Sequence, residues 1–276
     1  MSLFEKLVIL LIRNTFLGRG FFRKYSIHFL KSQFLEKRTS PSNPTPSLVV
    51  RVHNTPFKFY FDKLSNLSKF VGKDDKEEIE FLQAGIQDGF VFIDIGANNG
   101  FYSQMILSQM NSNKQGTILS IEPNPLMCER IRENVELLNI EGLKVGNYIK
   151  IINCAVGESK KETFLDFSSG YGQAHINEDC NEGIPVKISP LTDILNSENI
   201  SRIDALKIDV EGYEVAALKP FFNSAPFELL PKKIVIEYTH SDGWHEEDFI
   251  NTLKSKYCYK IAGRTQGNLL LEKLPS

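Results

Sequence analysis

The chain has 276 residues, 42% of them hydrophobic, and a formal net charge of −2 at pH 7. This composition is typical of a globular protein with one large domain, and the near-neutral balance gives no reason to predict a nucleic-acid partner. The four cysteines show no CxxC or metal-ligand spacing: Cys128, Cys154, Cys180 and Cys258. We therefore predict free thiols in a reducing compartment, the cytoplasm.

Residues 1–38 form an apolar and basic extension. Its apolar run, bracketed by cations at Lys6 and Arg13, is far shorter than the roughly 18–20 residues that span a bilayer. No small-residue cleavage site follows, so a signal peptide is not indicated. Two interpretations are open: an amphipathic helix that packs on the domain, or a basic, aromatic helix in peripheral contact with the inner membrane surface.

A Pro/Ser-rich stretch at residues 40–47 predicts a linker after this extension. We therefore divide the chain into an N-terminal helical extension with its linker, residues 1–47, and a domain, residues 48–276. The domain opens with a predicted hairpin or edge pair and then a predicted helix, at residues 48–53, 57–61 and 74–86.

From residue 90 onward, short apolar runs alternate with helical patterns. The predicted strands are residues 90–95, 116–121, 149–154, 205–208 and 233–237, and the predicted helices are residues 102–109 and 125–138. Apolar strands separated by helices indicate a doubly wound α/β domain with a parallel sheet covered on both faces. Residues 257–262 and 268–272 predict a closing antiparallel hairpin around a Gly-containing turn.

A polar, glycine-rich loop follows the first of these strands. Asp94 ends the apolar run, and Gly96, Asn98, Asn99 and Gly100 follow, at a strand end where open α/β sheets bind ligands. A nicotinamide cofactor needs G-x-G-x-x-G for its pyrophosphate, and Asn98 stands where the middle glycine belongs. S-adenosylmethionine, which has no phosphate, fits better: Asp94 can attract its ammonium, while loop amides, Asn98 and Asn99 serve its carboxylate.

Two further strand ends complete the predicted cofactor site. Glu122 follows the second strand and can accept both ribose hydroxyls of the cofactor; its alternative role is charge compensation at the N-terminus of the next helix. The third strand end, with Asn153 and Ala155, predicts an adenine shelf of small side chains and backbone amides.

The stretch LKIDVEGYE, residues 206–214, is the second unusual feature. Lys207 interrupts an apolar strand, and a buried lysine needs a partner. Asp209 is the predicted partner, because residues two apart share one face of a strand. Acids also favour the first turn of a helix, which could account for one or two of Asp209, Glu211 and Glu214 but leaves the lysine unexplained.

In these stretches the chain resembles the FkbM-type methyltransferases. The matching segments are FIDIGANNGFYS (92–103), SIEPNP (120–125), NCAVG (153–157), PLTDIL (190–195), LKIDVEGYE (206–214) and IVIEY (234–238). The resemblance implies a class I, Rossmann-like methyltransferase fold with a mostly parallel seven-stranded sheet. It also implies methylation of a hydroxyl on a sugar, glycan or secondary metabolite. It places Asp94, Gly96, Asn98, Gly100 and Glu122 on the cofactor, and Asp209 and Glu211 at the reaction centre.

Methylation of a hydroxyl requires a group that takes its proton. The candidates are Asp209, Glu211, Glu237 and His240. A divalent metal held by Asp209, Glu237 and His240 is an alternative that we do not favour, because no fixed ligand spacing demands it. Two other classes are open: a nicotinamide-dependent oxidoreductase, which Asn98 disfavours, and a catalytically silent binding module, which acids at three strand ends disfavour.

Overall fold

A computed structural model describes residues 47–60, 75–110, 114–166, 175–177, 183–238 and 246–275. The predicted extension and His240 lie outside these residues. The chain divides into two compact units, one ending at Lys76 and the other beginning at Glu77 and containing the remaining described residues.

The described part of the first unit contains an antiparallel hairpin of β1 (Ser47–Val52) and β2 (Thr55–Tyr60). Its two turn residues, His53 and Asn54, have positive φ angles of 48° and 66°. Two consecutive residues with positive φ match the twist of the flanking strands, as in type I′ turns. The structure thus confirms the hairpin interpretation of this region.

Apart from Lys76 at the start of α1, the second unit contains the described helices α1 (Lys76–Gln83), α2 (Phe101–Leu107), α3 (Pro125–Ile140), α4 (Leu191–Ser197), α5 (Glu214–Ser224) and α6 (Glu246–Tyr257). Its strands are β3 (Phe90–Ile95), β4 (Gly116–Ile121), β5 (Ile149–Ile152), β6 (Ala155–Val156), β7 (Lys161–Asp166), β8 (His175–Asn177), β9 (Ile184–Ser189), β10 (Ala205–Ile208), β11 (Lys233–Glu237), β12 (Tyr259–Arg264) and β13 (Asn268–Lys273).

Seven strands form one sheet in the order β12-β13-β11-β10-β3-β4-β5. The pairs from β11 to β5 are parallel, and β13 pairs antiparallel with both β11 and β12. This confirms the doubly wound, mostly parallel seven-stranded sheet and its closing antiparallel hairpin. Strand β3 lies at the switch point, because the chain continues to β4 on one side and later to β10 on the other.

A second sheet of order β6-β9-β7-β8 follows β5. Its strands β7 and β9 are antiparallel, whereas β6 and β9 are parallel. The predicted strand over residues 149–154 is wrong at its end, because β5 stops at Ile152. The chain turns there, with the Cys154 amide donating to the Ile152 carbonyl at 3.0 Å, and enters this unpredicted sheet.

Both faces of the large sheet are buried, and one of them also carries charged residues. One face, with Ile93, Leu206 and Ile234, packs against helices α4, α5 and α6 in an apolar core. Because side chains alternate along a strand, the opposite face carries the neighbouring residues, among them Asp94 and Lys207. In the described part of the chain no helix is both long and apolar enough to cross a membrane.

Candidate active site

The glycine-rich loop and the end of β10 are in direct contact. The Asp209 amide donates to the Ile95 carbonyl at 3.1 Å. Gly96 has a φ of +72°, and a Cβ atom there would lie 2.0 Å from the Asp209 carbonyl oxygen. Only glycine therefore allows the loop to pass this close to Asp209. The sheet thus brings together the two motifs that lie more than 100 residues apart in the sequence.

Asp94 is 2% exposed and lies beneath the loop. Its Oδ2 accepts hydrogen bonds from the Ser103 amide at 3.1 Å and the Ser103 hydroxyl at 2.6 Å. The Ser103 hydroxyl is also 2.6 Å from the Ser120 hydroxyl on β4. Asp94 therefore fixes the first turn of α2, a role that the spacing of these residues did not reveal. Its attraction for the cofactor ammonium stays a prediction.

Glu122 connects the glycine-rich loop to the end of β4. Its Oε2 accepts from the Asn98 amide at 2.8 Å and its Oε1 from the Asn124 amide at 2.9 Å. Both carboxylate oxygens are thus oriented by backbone amides, and the contact of Glu122 with ribose hydroxyls stays a prediction. The Asn98 side chain is turned back, with Oδ1 accepting from the Asn99 amide at 2.8 Å, and Asn99 itself is buried.

Asn153 lies against this strand end as well. Its exposed side chain donates from Nδ2 to the carbonyls of Glu122 at 3.0 Å and Pro123 at 2.8 Å. Ala155 is buried in β6, where it pairs with Ile188. The structure thus brings Asn153 next to Glu122, while Ala155 lies at the start of the second sheet.

Two buried thiols lie beneath this part of the site. Burial, with the nearby Glu122 charge, raises the pKa of Cys128 to about 12, and burial raises the pKa of Cys154 to about 11. The Cys128 thiol donates to the Glu122 carbonyl at 3.2 Å. Both thiols are therefore neutral at physiological pH, which suits packing and not nucleophilic chemistry.

Lys207 is 1% exposed, and its ammonium lies 3.4 Å from Asp209 Oδ2. This confirms that Lys207 is buried and paired with Asp209. In the register of the sheet Lys207 also lies beside Asp94 of β3. The Asp209 side chain is 33% exposed, so it is accessible from solvent.

Glu214 shapes the loop that follows Asp209. This carboxylate is fully buried, and its Oε1 accepts from the amides of Val210 at 2.8 Å and Gly212 at 3.4 Å. Glu211, in the same loop, is half-buried and has a φ of +55°. The sequence suggested only a helix-terminal charge for Glu214. The sequence pattern that could have predicted its structural role is an acid shortly after a Val-Glu-Gly turn, where it can accept from the turn amides.

Glu237 is the last residue of β11 and is half-buried. It directly follows Ile236, which pairs with Ile208 of β10, so Glu237 and Asp209 extend from neighbouring strand ends. The structure therefore brings these two candidates to one edge of the sheet, whereas His240 lies outside the described residues. Across the part of the chain that the structure describes, no group of three or more His, Cys, Asp or Glu residues is arranged to hold a metal ion.

Comparison with known proteins identifies the family. The sequence model of the Methyltransferase FkbM domain matches residues 94–261, which include both motifs of the site. The chain belongs to the FkbM methyltransferase family. This result confirms the resemblance carried by the sequence motifs and favours methyl transfer over a nicotinamide-dependent reaction.

Two relatives of this FkbM family member share low sequence identity with it. Methyltransferase 1 of Beauveria bassiana (strain ARSEF 2860) is 26% identical over 202 residues, covering 61% of this chain and 76% of that protein. The crystal structure of a methyltransferase FkbM from Methylobacillus flagellatus KT has 16% identity and a TM-score of 0.49. The match covers 94% of this chain and 62% of the Methylobacillus chain, so the present chain spans less than two thirds of that protein.

A second solved structure, a SAM-dependent methyltransferase from Agrobacterium tumefaciens, has a TM-score of 0.50 and 10% identity. The match covers 86% of this chain and 72% of that one. At this identity the likeness concerns the fold alone. Together with the strand order, it places the FkbM domain in the class I methyltransferase fold.

Proposed function

We propose that the protein is an S-adenosylmethionine-dependent O-methyltransferase that acts on a hydroxyl of a sugar, glycan or secondary metabolite. The observation that carries this proposal is the contact between the glycine-rich loop and Asp209. The Asp209 amide bonds to Ile95 at 3.1 Å, and Gly96 has no room for a side chain against the Asp209 carbonyl. A cofactor on the loop and an acceptor beside Asp209 would therefore be neighbours.

The residues of the loop fit the cofactor. Gly96 and Gly100 have φ angles of +72° and +80°, which turn the backbone sharply at the strand end where class I folds bind ligands. Glu122 is held at the next strand end by the Asn98 and Asn124 amides. These residues would hold the amino-acid and ribose ends of the cofactor.

Bound S-adenosylmethionine would supply an electrophilic methyl group, since formation of an O–CH₃ bond would be balanced by cleavage of the S–CH₃ bond, with its electron pair left on sulfur. The chain must then take the hydroxyl proton and hold the acceptor in line. Asp209 is the first candidate base because it is partly exposed and oriented by Lys207. Glu211, Glu237 and His240 are the alternatives.

Two exposed aromatic rings support a sugar-like acceptor. Tyr213 and Tyr238 are 39% and 40% exposed, and each follows closely on a candidate base, Asp209 or Glu237. Aromatic rings present an apolar face with a polar edge, which complements the C–H faces and hydroxyls of a sugar. One face of Tyr238 is covered by Arg264, whose guanidinium carbon lies 5.5 Å from the ring centroid.

Calorimetric titration with S-adenosylmethionine tests the cofactor assignment. Glu122→Ala should weaken binding by roughly 1–3 kcal/mol, the scale of hydrogen bonds to a charged group. Glu129→Ala, at an exposed acid on the following helix α3, is the matched control and should bind like wild type. Equal affinity in both variants would remove Glu122 from the site, and binding of NADH but not S-adenosylmethionine would overturn the proposed function.

The acceptor can be sought by mass spectrometry of glycans, lipids and small metabolites from cells with and without the gene. The deletion strain should contain a compound that is 14 Da lighter than its wild-type counterpart, because a hydroxyl group replaces a methoxy group. A methyl group lost from nitrogen or carbon would instead contradict O-methylation.

A further inference from the structure

Glu78, on helix α1, is a buried carboxylate outside the matched family range 94–261. It is 2% exposed. Its Oε1 accepts from the Thr265 hydroxyl at 2.5 Å and the Asn268 side-chain amide at 2.9 Å, and its Oε2 accepts from the Tyr102 hydroxyl. Donors from α2 and from the closing hairpin thus converge on one carboxylate.

Asn268 joins Glu78 to Lys207. Its Nδ2 donates to Glu78, and its Oδ1 accepts from the Lys207 ammonium at 3.2 Å. Its backbone amide donates to the Thr265 hydroxyl at 3.1 Å. Because an amide has its donor and acceptor on different atoms, a carboxylate on one side and an ammonium on the other fix one orientation of the side chain.

The remaining contacts of Lys207 lead to the reaction centre. Its ammonium donates to the Ile208 carbonyl at 3.1 Å and lies 3.4 Å from Asp209 Oδ2. The Tyr102 ring, whose hydroxyl bonds to Glu78, lies 5.3 Å from the ammonium, measured to the ring centroid. Glu78 therefore reaches Lys207 by two routes, through Asn268 and through Tyr102, and Lys207 contacts Asp209.

Stability alone is a weak reason for such a network. Buried charges lose hydration, and apolar residues of similar volume often give equal stability. Geometry is a stronger reason, because a displacement of about 1 Å at a reacting group can cost roughly 10²-fold in rate. The network acts on Asp209, a candidate base that forms an ion pair with the buried Lys207.

We propose that Glu78 is a positioning residue for methyl transfer: through Asn268 and Tyr102 it fixes the Lys207 ammonium, which holds the Asp209 carboxylate at the reaction centre. This inference rests on the proposed function. It assigns a positioning role to two residues outside the FkbM motifs, Glu78 and Asn268.

A pair of cofactor analogues tests the inference without an acceptor. Sinefungin carries an amine where the cofactor carries its transferable methyl group, whereas S-adenosylhomocysteine carries nothing there. A carboxylate held at the reaction centre should therefore favour sinefungin. The affinity for sinefungin divided by the affinity for S-adenosylhomocysteine then reports whether the Asp209 carboxylate is correctly placed. We expect Asp209→Asn to lower this ratio about tenfold, the scale of a charge-assisted hydrogen bond.

Glu78→Gln should lower the same ratio about threefold to tenfold, the scale of coupling within one hydrogen-bond network. Its affinity for S-adenosylhomocysteine should stay at the wild-type value. Glu77→Gln, the same change at the exposed neighbour on α1, is the matched control. Asn268→Ala, which breaks one bridge and leaves both charges in place, should reproduce the effect and serves as the second variant if Glu78→Gln does not fold.

A double-mutant cycle separates positioning from a general structural role. If Glu78 acts through Asp209, then Glu78→Gln should have no further effect on the ratio in the Asp209→Asn protein. Equal ratios in wild type, Glu78→Gln and Asn268→Ala, or additive effects in the cycle, would overturn the inference while leaving the cofactor assignment intact. A wild-type protein that binds neither analogue would overturn the proposed function and the inference together.

Discussion

Backbone conformation singles out residues in both loops of the candidate site. In the first loop Gly96, Asn98 and Gly100 have positive φ angles, and in the second Glu211 and Gly212 do. Glycine adopts this region freely and asparagine tolerates it, whereas for other residues it costs roughly 1–2 kcal/mol. Of these five residues, Glu211 is the least suited to a positive φ angle. Its presence in this conformation supports a role at the reaction centre.

Gly96→Ala should be severely destabilising. The added methyl group would lie 2.0 Å from the Asp209 carbonyl oxygen at a φ of +72°. Left-handed strain and overpacking together predict a loss of roughly 2–4 kcal/mol in the free energy of unfolding, measured by urea titration. Gly142→Ala is the control, because its φ is +89° but a Cβ atom there meets nothing within 4 Å. Equal losses in the two variants would contradict the close approach of the loops.

At the scale of elements, a strand residue supplies the hydrogen-bond acceptor that the short helix α2 lacks at its N-terminus. Helix α2 begins after Gly100, which has no side chain to cap it. The Asp94 carboxylate on β3 provides the missing acceptor for the Ser103 amide. Strand β10 likewise contributes both Lys207 and the following Asp209. The candidate site is therefore built from strand ends that are each fixed by bonds to the next element.

Asp209→Asn should separate chemistry from cofactor binding. Loss of a positioned proton acceptor should lower turnover by roughly 10²–10⁴-fold. Affinity for S-adenosylmethionine should change far less, because the proposed cofactor contacts come from Glu122 and from the loop that follows Asp94. The measurement compares initial rates on the acceptor found by mass spectrometry with calorimetric affinity, and exposed Asp248→Asn on α6 is the control. Full turnover in Asp209→Asn would exclude Asp209 from catalysis.

The same assay distinguishes a base from a metal ligand. Incubation of the wild-type protein with EDTA should leave turnover unchanged if Asp209 acts as the base. Loss of turnover that a divalent cation restores would instead favour the metal alternative, in which the cation lowers the pKa of the hydroxyl.

At the scale of the whole molecule, both faces of the large sheet are buried and only one carries the polar residues of the candidate site. The face against α4, α5 and α6 is apolar and contributes burial, the dominant favourable term in folding. The face of Asp94, Ser120 and Lys207 carries polar groups in neighbouring strands, in register with one another. This second face also buries Phe92, Ile118 and Val235, so it contributes to the core as well as to the candidate site.

Global stability should fall at alkaline pH. The unfolded Cys128 thiol loses its proton above its ordinary pKa of 9.0, whereas burial raises the pKa of the folded thiol to about 12. The unfolded state then binds fewer protons, so stability is lost as pH rises from about 9 to 12. Between pH 8 and pH 10 this thiol should contribute a loss of about 1 kcal/mol.

Urea unfolding of Cys128→Ala at these two pH values checks this contribution. The drop in unfolding free energy should be about 1 kcal/mol smaller than in the wild-type protein. Cys258→Ala, at an exposed thiol, is the control. An identical drop in Cys128→Ala and wild type would show that this thiol is not buried on folding.

The N-terminal extension, residues 1–38, lies outside the described residues, and its two interpretations differ in a measurable way. If the extension is a helix on the membrane surface, deletion of residues 1–38 should reduce co-sedimentation with vesicles containing phosphatidylglycerol. Added salt should also weaken vesicle binding by the full chain. Vesicles of phosphatidylcholine alone are the control. A helix that packs on the domain predicts instead a lower melting temperature after deletion and unchanged sedimentation.

The sequence alone determined the core strands and the class of the protein. Strands β3, β4, β10 and β11 have the predicted bounds, because continuous apolar runs between polar loop residues define buried parallel strands. Acids and glycines at strand ends pointed to a cofactor site, since parallel strands bring these ends to one edge. The burial of Lys207 also followed from local pattern, as one charge in an apolar strand requires a partner.

Only the tertiary structure determined which residues distant in the sequence contact one another. The contact of Gly96 with Asp209, the Glu78–Asn268–Lys207 network and the capping of α2 by Asp94 all depend on strand order and register. These properties arise when distant segments pack, and the spacing of residues along the chain does not encode which side chains then meet. The second sheet was missed for the same reason: its short strands gain their stability from pairing with one another, not from an apolar run of their own.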